Sequence, residues 1–188
     1  ETIGNVTLAS SGSANTTNAG SYNITATGAA NGSFTASNYN ISYANGTLTV
    51  TPANITLTAD NLSRTYGSAN PTTDTVSVTS GSLYNGNALG NVSVSTSATN
   101  TTAAGQTANL TASGVAFTNG SASNYNISYA NGTLTINRAN LTITANSTST
   151  QYGLGTTLGS TAFTTSGLQN GETIGNVTLA SSGSANTT

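Results

Sequence analysis

The stretch "NYNISYANGTLTV", Asn38–Val50, alternates apolar and polar residues on both sides of an Ala-Asn-Gly step. Tyr39, Ile41 and Tyr43 share one set of alternate positions, and Leu48 and Val50 resume the pattern after the step. A period of two belongs to a β-strand with one face buried. Asn-Gly tolerates the positive φ angles of a tight turn. The expectation is a β-hairpin with Leu48 and Val50 opposite Tyr39, Ile41 and Tyr43.

The same alternation runs outward from this stretch in "NVTL" (Asn5–Leu8), "YNITA" (Tyr22–Ala26), "NITLTA" (Asn54–Ala59), "VSV" (Val76–Val78) and "NVSVS" (Asn91–Ser95). Asn-Gly recurs at Asn31–Gly32, Asn45–Gly46, Asn85–Gly86, Asn119–Gly120, Asn131–Gly132 and Asn170–Gly171. No segment sustains a helical period. The expected fold class is all-β.

Composition narrows the function. The 188 residues hold two cations, Arg64 and Arg138, four acids, and no His, Cys, Met or Trp. Nucleic-acid binding needs several cations to release phosphate counterions, so no nucleic-acid partner is expected. No stretch approaches the ~18 apolar residues of a transmembrane helix, and no basic face suits a membrane surface. Without cysteine, disulfides and thiolate metal sites are excluded. Low charge and abundant Ser, Thr, Asn and Gly would suit a disordered linker, but regular alternation of Val, Ile, Leu and Tyr indicates a folded chain.

The chain also repeats itself. "SNYNISYANGTLT" at Ser37–Thr49 returns unchanged at Ser123–Thr135, and "PANITLTA" (Pro52–Ala59) returns as "RANLTITA" (Arg138–Ala145), both 86 positions on. "YNGNALGNVSV" (Tyr84–Val94) returns as "QNGETIGNVTL" (Gln169–Leu179) after 85. "ETIGNVTLASSGSANTT" stands at both Glu1–Thr17 and Glu172–Thr188, giving a superperiod of 171. The expected organisation is the C-terminal part of one repeat domain at 1–50, a complete domain at 51–136 and the N-terminal part of the next at 137–188. Joining 137–171 to 1–50 rebuilds a whole domain, as a window cut from a longer array would require. Thr51 and Pro52 alone separate two alternating runs, with Asn137 and Arg138 at the next junction. Proline's fixed φ at such a short linker would stiffen the junction, stop edge pairing, or do both.

"Tyr-Gly-x-x-Asn-Pro" at Tyr66–Pro71, "Gly-x-x-x-Asn-Gly" at Gly81–Gly86 and the Ser37–Ala53 block resemble the MBG/YDG-type tandem repeats of giant bacterial adhesins, filamentous-haemagglutinin-like proteins exported by two-partner secretion. The chain departs from that pattern at Arg138, which replaces the proline of Pro52, and after Tyr152, where "GLGTT" follows without proline. The resemblance implies tandem antiparallel β-sandwich domains, Ig-like or similar, of about 85–86 residues stacked end to end. It also implies a structural stalk on the cell surface or in the extracellular matrix of a biofilm. Tyr39, Tyr43, Tyr66, Tyr125, Tyr129 and Tyr152 mark the repeat and its core. Partners would be neighbouring repeats of the same chain, with lateral association to other fibres or extracellular polysaccharide. The family has no catalytic residues to carry over.

An enzyme is not expected. No His, Cys or Lys is present to act as base or to activate the many hydroxyls. Asp60 and Asp74 are the only acids in the complete domain, and Asp60 suits a loop-shaping role. Acids are too sparse for a calcium cage, so neither metal nor cofactor is expected. Two alternatives to the stalk stand beside it. One is a non-covalent filament whose subunits exchange strands. The other is a glycan- or ice-binding face using threonine rows such as Thr56/Thr58 and Thr142/Thr144, although exposed strands are commonly Thr-rich.

Asn-x-Ser/Thr is the remaining signal. Candidate glycan acceptors are Asn5, Asn15, Asn23, Asn31, Asn40, Asn45, Asn54, Asn61, Asn91, Asn100, Asn109, Asn119, Asn126, Asn131, Asn140, Asn146, Asn176 and Asn186. Sugars there would solvate a nearly uncharged surface, as in some two-partner-secreted adhesins. Alternation also produces the motif unaided, since an inward apolar residue between two outward polar ones reads Asn-x-Ser/Thr.

Overall fold

The computed structural model describes residues 1–30, 32–72 and 74–183. Its regular structure is almost entirely strand. In chain order the first strands are β1 (Asn5–Ala9), β2 (Gly20–Ala30), β3 (Gly46–Val50), β4 (Ala53–Ala59) and β5 (Leu62–Thr65). Next come β6 (Val76–Ser80), β7 (Ala88–Leu89), β8 (Ser93–Ser95), β9 (Thr107–Ser113) and β10 (Phe117–Asn119). The last are β11 (Tyr125–Ala130), β12 (Gly132–Asn137), β13 (Thr142–Ala145) and β14 (Phe163–Ser166). Two single 3-10 turns, Ala36–Asn38 and Ala122–Asn124, complete the elements. Alternation therefore predicted strand well, and the all-β class holds.

The chain forms two compact units. The first comprises 1–60, 74–95 and 111–131. Within it β1, β2 and β3 make an antiparallel meander. A second sheet has the order β11-β4-β6, and β7 pairs with β10. Ile55 and Leu57 of β4, both fully buried, and Tyr125 of β11 form a core with Val76, Val78, Leu89 and Phe117. The β4 pattern shows why: its apolar alternate positions face that core, while Asn54, Thr56 and Thr58 lie on the other face. Burying such side chains is worth about 1.5–3 kcal/mol each.

The second unit comprises 61–73, 96–110 and 132–188. Here β12 lies between β5 and β9, and β13 pairs with β14. Leu134 and Ile136 of β12 are fully buried, and Leu110 and Ala98 are buried as well. Strand β9 contributes Thr107–Leu110 to this unit and Thr111–Ser113, paired with β8, to the first.

Register repeats along with sequence. Tyr22 pairs with Leu48, and 86 residues later Ala108 pairs with Leu134. Leu8 pairs with Ala26, as Val94 does with Ala112. The Thr56–Ser80 pair returns as Thr142–Ser166.

Two expectations need correction. Asn38–Val50 is not a hairpin: Tyr39–Asn45 lies in no strand, and Gly46–Val50 is β3, paired with β2. In the second copy β11 and β12 are both strands, yet they belong to different sheets. Gly46 and Gly132 lack the positive φ that a type I′ turn demands, so the Asn-Gly step passes the chain onward instead of folding it back. Nor is all pairing antiparallel. Strand β11 runs parallel to β4 (Ile127 opposite Ile55), and β12 runs parallel to β5 (Leu134 opposite Leu62). Parallel neighbours need a long crossover, and here about seventy residues separate each pair.

Candidate functional site at the repeat boundaries

The site of interest lies where residues of successive sequence repeats meet. It begins with two turns. Asn85 and Gly86 have φ of 54° and 71°, and the Asn87 N–H donates to the Tyr84 carbonyl at 2.9 Å. Asn170 and Gly171 have φ of 52° and 75°, and the Glu172 N–H donates to the Gln169 carbonyl at 2.9 Å. Positive φ at both central residues defines type I′. Asn85 and Asn170 are the only non-glycine residues with positive φ among those described.

Each turn touches the preceding repeat. Asn85 Nδ2 donates to the Asn15 carbonyl oxygen at 3.0 Å. Asn170 Nδ2 donates to the Asn100 carbonyl oxygen at 3.2 Å. At the first boundary Asn124 adds a pair of bonds: its Oδ1 accepts from the Ala19 N–H at 2.9 Å, and its Nδ2 donates to Asn18 Oδ1 at 2.8 Å. At the second, the Tyr66 hydroxyl donates to Glu172 Oε1 at 2.6 Å. Val50, Thr51 and Ala53 line a small cleft of about 130 Å³ with Asn15, Asn85 and Asn124. Thr51 and Pro52 are exposed and are the only residues between β3 and β4. Asn137 accepts the Tyr66 N–H at 2.8 Å, and exposed Arg138 lines a cleft with Tyr66 and Glu172.

The tyrosines divide. Tyr125 alone of the six is buried; its hydroxyl accepts from the Tyr84 N–H and from Asn87 Nδ2, both at 2.9 Å, and its ring stacks on Phe117. Tyr43 and Tyr129, one repeat apart, each accept a backbone N–H, from Ala29 at 2.9 Å and Val115 at 3.1 Å. Tyr39 is half exposed and donates to the Glu1 carboxylate, which holds its phenol above the ordinary value. Tyr66 is half-buried, and Tyr152 is fully exposed.

Of the eighteen candidate acceptor asparagines, Asn31 and Asn186 lie outside the described residues; the other sixteen are all exposed. Asn54, Asn61, Asn119 and Asn126 are among those with engaged side-chain amides. Asn126 Nδ2 donates to Asn54 Oδ1 (3.0 Å), Asn61 Oδ1 accepts from the Thr133 N–H (2.8 Å), and Asn119 Nδ2 donates to the Gly86 carbonyl (2.7 Å). Thr56 and Thr58 are half-buried and bonded to Ser128 and Thr79, whereas Thr142 and Thr144 are exposed. Asp60 accepts from the Ser77 hydroxyl at 2.7 Å, and Asp74 from the Val94 N–H at 3.2 Å. Among the described residues, no helix is long and apolar enough to cross a membrane. Among the described residues, no three of His, Cys, Asp and Glu gather where a metal ion could sit.

Sequence reading missed two features. One is the pair of boundary turns, which six Asn-Gly dipeptides left indistinguishable; the Gly-x-x-x-Asn-Gly context of Asn85 was the available signal. The other is Arg64, buried with its Nε donating to Asn70 Oδ1 at 2.8 Å and Nη2 to the Thr99 carbonyl.

In comparison with known families, the model of the MBG domain (YGX type) matches residues 1–49 and 55–135. No curated protein and no solved structure matches.

Proposed function

The chain belongs to the MBG domain family of the YGX type, and from that premise we propose that it is a non-catalytic spacer, a stalk segment of a large secreted bacterial surface adhesin or biofilm-matrix protein. MBG domains are associated with repeat-containing, adhesin-like proteins. The observation that carries the reading is the recurrence, one repeat apart, of both strand register and boundary bonding, with Asn85 on Asn15 and Asn170 on Asn100. A spacer needs each unit to meet the next in the same way. Extracellular or cell-surface placement follows from the role. Its partners are neighbouring repeats, with lateral contact to other fibres or polysaccharide.

A strand-exchanged filament is the second reading. Tyr39, Ile41 and Tyr43 are exposed outside any strand, while the identical Tyr125–Tyr129 segment pairs in parallel with β4. The sequence counterpart of β4, Ala139–Ala145, also exposes Leu141 and Ile143. The mass of the native protein after complete denaturation separates the two. A single chain many times the 18.5 kDa of this sequence is expected. A subunit near that mass would replace the stalk with the filament.

A further inference from the structure

Two bonds described above are one bond made twice. Asn170 follows Asn85 by the same interval as Asn100 follows Asn15, 85 positions. In both cases the side-chain amide of a type I′ turn reaches the carbonyl of the asparagine in an Asn-Thr-Thr loop of the preceding repeat. The donor conformation is uncommon. L-residues other than asparagine and aspartate rarely adopt positive φ, and all other described asparagines avoid it.

Chemistry limits what can stand there. Glycine would keep the turn without the donor. Aspartate would keep the shape but set a carboxylate oxygen against a carbonyl oxygen. Asparagine alone meets both requirements. The first turn is also braced from behind: Asn119 Nδ2 donates to the Gly86 carbonyl, and the Tyr125 hydroxyl accepts from Tyr84 N–H and Asn87 Nδ2. That bracing orients Asn85 before any neighbour arrives, which lowers the ordering cost of docking.

We infer that the Asn-Gly turn is an inter-repeat latch, a docking surface whose partner is the Asn-Thr-Thr loop of the preceding repeat (Asn15–Thr17, Asn100–Thr102). It rests on the spacer reading and supplies that reading's interface. The latch is the constant part of each boundary. Beside it stand Asn124 on Asn18 and Ala19 at the first boundary, and Tyr66 on Glu172 at the second.

The absence of cysteine makes the test direct. Paired spin labels at Thr27→Cys and Thr111→Cys report the first boundary, and at Thr107→Cys and Thr165→Cys the second. Wild-type chains give a narrow distance distribution at both. Asn85→Gly broadens the first roughly twofold and leaves the second unchanged; Asn170→Gly does the reverse, because unlatched neighbours move by default. Asn85→Asp broadens the first at least as much. Unchanged widths in both glycine variants, or a broad wild-type distribution, overturn the latch. Exchange of the side-chain amide protons in the unaltered chain needs no variant: Asn85 and Asn170 exchange more slowly than Asn45 and Asn131, and equal rates overturn it too. A failure of the spacer reading would appear separately, as a denatured mass near one subunit.

Discussion

Gly81 and Gly167 stand one repeat apart at φ of 75° and 104°. A Cβ on Gly81 would lie 2.2 Å from the Asn54 carbonyl oxygen, and one on Gly167 2.1 Å from that of Asn140. Both strain and collision oppose a side chain there. Gly81→Ala is expected to lower stability by about 3 kcal/mol, read as a reduced urea midpoint with unchanged slope. The Gly81 turn was legible as part of Gly-x-x-x-Asn-Gly, but its reason was not, because the clashing carbonyl sits 27 residues earlier on another strand. Arg64 was illegible for a related reason. A buried guanidinium ordinarily invites a search for a carboxylate. Here its described partners are the amide oxygen of Asn70 and the carbonyls of Thr65 and Thr99, and Asn70 in turn donates to the Ala98 carbonyl at 2.7 Å. Nothing in the spelling of a single loop announces that arrangement.

Strands with the same letters occupy different surroundings. Leu57 in β4 is fully buried, and its counterpart Ile143 in β13 is 43% exposed. Leu57→Ala should cost about 2–5 kcal/mol, as truncation of a packed core residue does. Ile143→Ala should cost under about 1 kcal/mol. Thermal melts of the two variants side by side decide the matter, and equal losses would mean that Ile143 is covered in solution. Alternation made the strands themselves readable, because period two depends only on which residues are apolar. It could not supply their neighbours. Asn38–Val50 carries every local mark of a hairpin, yet its second copy divides between two sheets. Parallel partners about seventy residues distant outweigh the nearest one, and a local pattern contains no information about them. The Asn-Gly steps are ambiguous for the same reason: the dipeptide permits positive φ, and packing around Tyr125 selects where the turn beneath Asn85 is used.

Over the whole molecule, repetition was the most legible property, since the 86-residue offset recurs as equal registers in the sheets and the 85-residue offset in the paired boundary bonds. The boundary contacts were less so, being single hydrogen bonds between residues with no distinctive spacing. Those contacts are made chiefly of amides and carbonyls; among those described, only Tyr66 on Glu172 involves an ionisable acid. With no histidine and no cysteine, the chain has no side-chain type whose ordinary pKa lies between about 5 and 9. Screening has little to act on. The unfolding midpoint should therefore move by under about 2 °C between roughly 0.05 and 1 M sodium chloride, and a calorimetric salt series checks this. Bonds between neutral groups carry no charge for salt to screen or acid to remove: the amide-to-carbonyl fastenings of Asn85 and Asn170 would hold alike in fresh water, brine and dilute acid, and Tyr66 on Glu172 alone would register the acid.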